Sequence, residues 1–378
     1  MRPFRLFGAL LALSAACALA APAAAKPRAN APASAAAEKD PVLLSRELAG
    51  LLLDLGYSSA SINALFNTKA LGEMPAEWLP IFTDATMAEA AARREQLIGM
   101  LAPILQSKFT LPELRAGVGY LRTPTGRRTL QAAIRAGAED RDMTESEVDS
   151  GLVELVKKPA GRAFFEKFGE LEHELGGFDG EVQSLMAPGI LRRASDGIEA
   201  TTKPLAPLTA AERDALEVLR AILPEQMMMQ GVRAGAEAKA KDKAAMAQLP
   251  AGWGGWLVEA LVAEMNVNPG LLHEILARAW AAKAKPEDLR AMVVFLKTSA
   301  GRSFKASIGA SGPTPVSIAD QKAYDRFIAT DAGKAMTGFY TTVSMRAAGL
   351  EYGFRLAPAL YRRLADRIEA AAKGARMP

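Results

Sequence analysis

The chain is poor in the side chains that ligate metals or attack substrates. Of its 378 residues one is cysteine, Cys17, and two are histidine, His173 and His273. A disulfide framework and a thiolate metal site are therefore excluded for the body of the protein. Each histidine is followed by glutamate, but neither opens a His-Glu-x-x-His helix, so the zinc-protease spacing is missing. Both read as surface or half-buried helix positions. Charge of one sign is also lacking: the net charge is +4, which leaves no concentrated basic face for nucleic acid. Gly-x-Ser-x-Gly and Walker-type loops are absent; Gly252-Trp253-Gly254-Gly255-Trp256 is glycine-rich but no Lys-Ser/Thr follows it. Val/Ile alternation of the strand type is almost absent as well, while alanine, a strong helix former, is abundant.

The one notable apolar run is short and sits at the start. Arg2 and Arg5 precede the stretch from Leu6 to Ala16, and Ala18-Leu19-Ala20 is a small-x-small cleavage site. This pattern predicts a signal peptide over 1–20 and a periplasmic or secreted protein. A weaker reading makes Cys17 a lipidation site, although Ser14 stands three residues before it where a bulky aliphatic residue is usual. Loss of Arg2 and Arg5 with the leader would leave 44 basic against 42 acidic residues, a net +2. Residues 21–40, rich in Ala, Pro and Lys, read as a disordered spacer.

Beyond residue 40 the chain repeats itself. Pro75 to Arg127 aligns without a gap on Pro250 to Arg302, with 18 identities in 53 positions. Ala187-Pro188, Arg192-Arg193, Asp196 and Ile198-Glu199-Ala200 recur as Ala357-Pro358, Arg362-Arg363, Asp366 and Ile368-Glu369-Ala370. Such self-similarity predicts an all-α protein of two homologous multi-helix domains, 41–203 and 209–374, joined by a linker at Lys203–Leu208. Each domain should hold six to nine helices. Asp40-Pro41 reads as an N-cap with proline at the first helical position. Thr110 to Glu113, Thr144 to Glu147 and Thr209 to Glu212 fit the capping box, and Ser317 to Asp320 is a looser form. Helical apolar spacing follows these starts, as at Leu114, Val118 and Leu121 or Leu289, Val293 and Leu296.

A shorter signature occurs four times: an apolar pair, Thr or Lys, a Pro/Ser/Asp position, a small residue, then Gly and a basic residue. It ends at Gly126-Arg127, Gly161-Arg162, Gly301-Arg302 and Gly333-Lys334. It reads as a helix–corner–helix in which Thr123, Thr298 and Thr330 cap the second helix. Glycine inside a first helical turn costs up to about 1 kcal/mol against alanine, so its recurrence predicts a backbone passing close by. A cation in that first turn opposes the helix dipole. Arg127, Arg162, Arg302 and Lys334 must then be compensated, either by an internal carboxylate or helix C-terminal carbonyl, or by an anionic ligand.

These residues resemble a family. The phrase Phe/Tyr-Leu-x-Thr-x-x-Gly-Arg after a Pro-Glu helix start, best carried by 111–135 and 286–308, is similar to the secreted bacterial domain of unknown function numbered 2059. The resemblance implies a small exported helical domain without assigned activity, present here in two tandem copies, and it transfers no catalytic residue.

Trp78 and Trp253 stand at equivalent places and read as core anchors, with a groove wall as the alternative. Met227, Met228 and Met229, with Met246 and Met265, read as core filler or an adaptable surface. In the ungapped register the first three face Leu52, Leu53 and Asp54. Ala234–Ala247 is an exposed helix or a mobile connection. Arg192 with Asp196, and Arg362 with Asp366, are i,i+4 pairs on solvated faces; docking to anionic lipid or a partner is the other reading. No catalytic, metal or cofactor site is expected. The sequence predicts an exported interaction or scaffold protein; a carrier of a hydrophobic or amphiphilic ligand is the alternative. A hydrolytic enzyme, with Arg127 and Arg302 as anion-binding groups, is a third reading.

Overall fold

The computed structural model describes residues 40–66, 75–138, 141–174, 176–241, 252–308 and 316–374. The leader, Cys17, most of the spacer and Met246 lie outside the described residues, as does the side chain of His173. Helices account for nearly all of what is described, and no strand occurs among those residues. The protein is all-α.

The described residues gather into two compact units: 40–200 with 361–374, and 201–241 with 252–360. The first holds α1 (Pro41–Gly56), α2 (Ser59–Phe66), α3 (Trp78–Lys108), α4 (Leu111–Arg122), α5 (Pro124–Ala138), α6 (Ser150–Lys157), α7 (Pro159–Glu174) and α8 (Gly176–Thr201). The second holds α9 (Ala210–Ile222), α10 (Glu225–Lys241), α11 (Trp253–Val267), α12 (Leu271–Ala281), α13 (Pro286–Leu296), α14 (Ser299–Ile308), α15 (Ile318–Ile328), α16 (Asp331–Thr337) and α17 (Phe339–Thr342). The last helix, α18 (Met345–Gly374), gives residues 345–360 to the second unit and 361–374 to the first.

The helices begin where their caps dictate. Asp40 accepts from the Val42 amide at 2.8 Å at the head of α1. Glu113 accepts from the Thr110 amide at 2.7 Å, and Glu212 from the Thr209 amide at 2.7 Å, each closing a capping box. Ser317 receives the Asp320 amide at 3.0 Å. The Thr144 site behaves differently. Glu147 accepts from the Thr144 amide at 2.8 Å but only a single 3₁₀ turn, Glu145–Glu147, forms there. Asp149 starts the next helix instead, taking the Leu152 amide at 2.9 Å. A carboxylate one residue before the helix is a stronger cap than a distant threonine.

Packing follows the same order in each unit. α1 lies on α3, α4 and α5, and α9 lies on α12, α13 and α14. α4 packs on α7, and α6 on α7, as α13 packs on α16 and α15 on α16. α2 touches α3, and α10 touches α11. One difference is written in the sequence: α3 runs unbroken for 31 residues, whereas Pro269-Gly270 divides its counterpart into α11 and α12. Proline disfavours helix at the residue before it and cannot donate its own amide. With this break and the four-residue α17, the described residues after 203 hold ten helices, against the six to nine expected.

Met227–Met229 belong to the second helix of their unit, α10, whereas Leu52–Asp54 belong to the first helix of theirs, α1. Met228 and Met265 are buried in the second unit's core with Trp280, Leu289 and Phe339, whereas Met227 is exposed. α10 continues through the alanine-rich stretch to Lys241.

Candidate functional site

The four signature corners are built alike. At the end of α4, Thr123 Oγ1 donates to the Tyr120 carbonyl at 2.7 Å and receives the Gly126 amide at 2.9 Å. Thr298 does the same with Phe295 and Gly301, at 2.7 and 3.1 Å, and Thr330 with Phe327 and Gly333, at 2.6 and 3.1 Å. The hydroxyl thus closes one helix and opens the next. At the remaining corner Lys158 replaces threonine, so the hydroxyl bonds are lost and the backbone bonds remain, from the Lys158 amide to the Leu155 carbonyl at 3.1 Å and from the Arg162 amide to the Lys158 carbonyl at 2.9 Å.

The glycines are held by contact with the preceding helix. A Cβ on Gly126, Gly161, Gly301 or Gly333 would lie 2.1 to 2.2 Å from the carbonyl oxygen of Tyr120, Leu155, Phe295 or Phe327. No side chain fits there, and all four glycines are buried.

Three of the four basic residues are compensated by neighbouring carbonyls of the preceding helix. Arg127 Nε donates to the Leu121 carbonyl at 3.1 Å, Arg162 Nε to that of Val156 at 3.2 Å, and Arg302 Nη1 to that of Lys297 at 2.8 Å. Each acceptor is at the C-terminal end of the previous helix, where carbonyls have no intrahelical partner and the dipole is negative. A cation that looks misplaced at one N-terminus is well placed at the neighbouring C-terminus. Lys334 stands exposed at the fourth corner.

Trp78 and Trp253 are both buried. Trp78 packs at 6.5 Å, centroid to centroid, from Phe82. His273 departs from expectation. It is fully buried, with Nε2 2.7 Å from the Leu223 carbonyl, and its Nδ1 is buried without a partner. Burial pushes its pKa below the usual imidazole value, Arg220 adds to the effect, and the Leu223 bond and Glu225 oppose it. The ring is therefore neutral, with Nε2 carrying the proton to Leu223.

One polar cluster, Tyr120, Thr129 and Asp149, follows no sequence motif. Asp149 caps α6, accepts from Tyr120 Oη at 3.1 Å, and accepts from Thr129 Oγ1. Burial disfavours its charge, but these donors outweigh that and hold its pKa below the ordinary value. Burial also drives the Tyr120 phenol up to about 12. In the ungapped alignment the second unit carries Phe295 and Phe304 where Tyr120 and Thr129 stand. There an aromatic set replaces the polar hub: Phe295 stacks on Phe327 at 3.9 Å, and Phe304 on Tyr324 at 5.1 Å. Polar-for-apolar exchange at aligned positions was the readable clue. Glu113, in the first turn of α4, binds Lys167 of α7 at 2.8 Å.

The Arg-Arg helices also depart from expectation. Arg192 does not pair with Asp196 on its own helix; it binds Asp366 at 2.8 Å and Glu369 at 2.5 Å. Arg362 binds Asp196 at 2.9 Å and also Glu199. The ends of α8 and α18 thus run antiparallel within the first unit, exchanging equivalent ion pairs over buried Ala194, Ser195, Ile198, Leu364, Ala365 and Ile368. A cation placed before its acid at i,i+4 is the poorer orientation. The facing helix offers two carboxylates to each guanidinium instead. Arg193 turns to Glu89 at 3.2 Å, a buried carboxylate that Arg93 also binds at 2.9 Å.

One family model matches. Residues 95–150 fit the family described as an uncharacterized protein conserved in bacteria, DUF2059. The DUF2059 stretch contains the end of α3, all of α4 and α5, the first corner and the Tyr120–Thr129–Asp149 hub. It is a single copy, so the second stretch of resemblance, 286–308, lies outside it. No curated protein and no solved structure matches the chain. Among the described residues no group of three His, Asp or Glu side chains is placed to hold a metal, and no helix is long and apolar enough to cross a membrane.

Proposed function

We propose that this chain is an exported helical interaction protein, built from two copies of one multi-helix unit and working by binding rather than by turnover. The observation that carries the reading is the use made of the recurrent basic residues. Arg127, Arg162 and Arg302 each bind the C-terminal carbonyls of their own preceding helix. The most repeated feature of the sequence therefore serves to turn corners. The duplication is supported by the shared packing order and the shared corner geometry. Export rests on Arg2, Arg5, the run from Leu6 to Ala16 and the Ala18-Leu19-Ala20 site, which would release the chain into the periplasm or beyond.

A second reading, a carrier of an apolar ligand, has its own observation. α10 and α11 enclose a groove of about 320 Å³ lined by Val232, Gly235, Ala236, Leu257, Val258 and Leu261. That volume is at the lower end for ligand sites. Native mass spectrometry of the protein released from its own cell envelope separates the readings. A bound polypeptide, or bare protein that crosslinks to one in cells, supports the interaction protein. An extra mass removed by organic solvent moves the assignment to the carrier. Arg302→Ala tests the enzyme reading: only stability should change, and loss of a measured turnover without loss of fold would overturn the proposal.

A further inference from the structure

The linker between α8 and α9 is seated on the second unit. Thr202, Leu205 and Leu208 are half-buried, while Lys203, Pro204, Ala206 and Pro207 are exposed. Burial at every third residue, with prolines three apart, is the pattern of a left-handed extended helix of three residues per turn. Its carbonyls are taken by two arginines of matching design. Arg355 on α18 donates to the Lys203 carbonyl at 3.1 Å, and Arg278 on α12 donates to the Ala206 carbonyl. Each is oriented by a glutamate one turn earlier on its own helix, Glu351 and Glu274, at 2.6 Å. Glutamate four residues before the cation is the favourable order.

The surface does not end where the linker does. Leu205 forms one wall of an open groove of about 460 Å³ between α12 and the start of α18. Its floor is aliphatic and small, with Ile275, Ala279, Ala282, Val343 and Ala347 among the lining residues. Lys283 at the rim already binds a backbone carbonyl, that of Thr342, at 2.8 Å. Alanines along α12 and α18 leave room for a chain to lie between them, and Leu205 of the proline-containing linker already forms one wall.

We propose that this groove binds an extended, proline-containing segment of a partner protein, laid beside the chain's own Pro204-Leu205-Ala206-Pro207. Apolar side chains at every third position would enter the groove, and outward carbonyls would meet the basic rim, as the linker already does. Extended proline helices suit such recognition because little conformational freedom is lost on binding. The inference rests on the interaction reading above and specifies its partner class.

The test uses the full mature chain and a fluorescent peptide carrying two tandem copies of Lys-Pro-Leu-Ala-Pro-Leu, followed by anisotropy. Saturable binding is expected, weakened at least tenfold by Ala347→Glu and by Ala282→Glu. Ala347 is exposed on α18 and Ala282 is exposed just past the end of α12, so both variants should retain the wild-type circular dichroism and melting temperature. A peptide of the same composition without Pro-x-x-Pro spacing should bind at least tenfold more weakly. The proposal is overturned if the peptide does not bind, if it binds both variants as it binds wild type, or if palmitate displaces it. A partner found by native mass spectrometry whose crosslinks avoid residues 279–283 and 343–348 would sink the groove while leaving the interaction reading standing.

Discussion

At the residue scale, Gly301 and Gly349 make a controlled pair. A Cβ at Gly301 would lie 2.2 Å from the Phe295 carbonyl, whereas one at Gly349 in α18 would meet nothing within 4 Å. Gly301→Ala should destabilise by about 1–3 kcal/mol, the usual range for overpacking. Gly349→Ala should stabilise by about 0.5–1 kcal/mol, since it only removes backbone freedom from a helix interior. Urea unfolding of both variants checks this, and equal midpoints would refute the close-contact account of the corners. His273 makes the second residue-scale prediction. Its folded pKa is depressed, so below the unfolded value of about 6.5 the unfolded chain binds the extra proton. Stability should therefore be full above that pH and fall as the medium becomes more acid. His273→Gln keeps a donor for Leu223 and cannot titrate. The variant should lose this dependence when unfolding is compared at pH about 5 and about 8.

At the scale of elements, Glu113 joins the start of α4 to α7. Burial would raise its pKa, but Lys167 and the Thr110 amide outweigh burial and hold it below the ordinary value. A carboxylate with a depressed folded pKa stabilises above its unfolded pKa and loses that contribution as pH falls through the folded one. Glu113→Gln should cost about 1 kcal/mol near neutral pH, because Lys167 is a third exposed and can turn to water once its partner is gone. The gap from wild type should close on acidification, and a gap that stays constant in chemical denaturation would count against the assignment. This element was legible in outline. Thr110 and Glu113 announce the capping box, and Leu114, Val118 and Leu121 announce the buried face. Lys167 was not legible, because nothing within a few residues says which lysine of a later helix will arrive beside Glu113. The same holds for Asp149. Its role as a cap lies two residues beyond the Thr144–Glu147 motif, and its bonds to Tyr120 and Thr129 come from helices 20 or more residues away in sequence.

At the scale of the whole molecule, the exchange between α8 and α18 sets how the chain's last helix is used. Carboxylates of the facing helix raise the pKa of both Arg192 and Arg362 above the ordinary guanidinium value. The groups are substantially exposed, so each pair is expected to contribute only about 0–1 kcal/mol. Arg192→Glu should destabilise modestly. Adding Asp366→Arg and Glu369→Arg should recover most of the loss, and Asp196→Arg added to Arg192→Glu should not. A thermodynamic cycle on these variants measures the coupling. Recovery by Asp196→Arg alone would return the arginine to its own helix.

What this sequence determined by itself is local. Helix starts at Asp40, Thr110, Thr209 and Ser317, the corners ending in Gly126-Arg127 and Gly301-Arg302, and the all-α class each depend on bonds spanning about six residues or fewer. Those bonds form whenever the residues are adjacent in the chain, so spacing alone reveals them. The tertiary structure decided the rest: which carboxylates Arg192 and Arg362 take, that His273 is wholly buried, and that Leu205 forms one wall of a groove floored by alanines. Each of these joins groups dozens to more than a hundred residues apart. Their free energies depend on solvent exclusion and on the arrival of a second helix, and neither is written in the residues nearby.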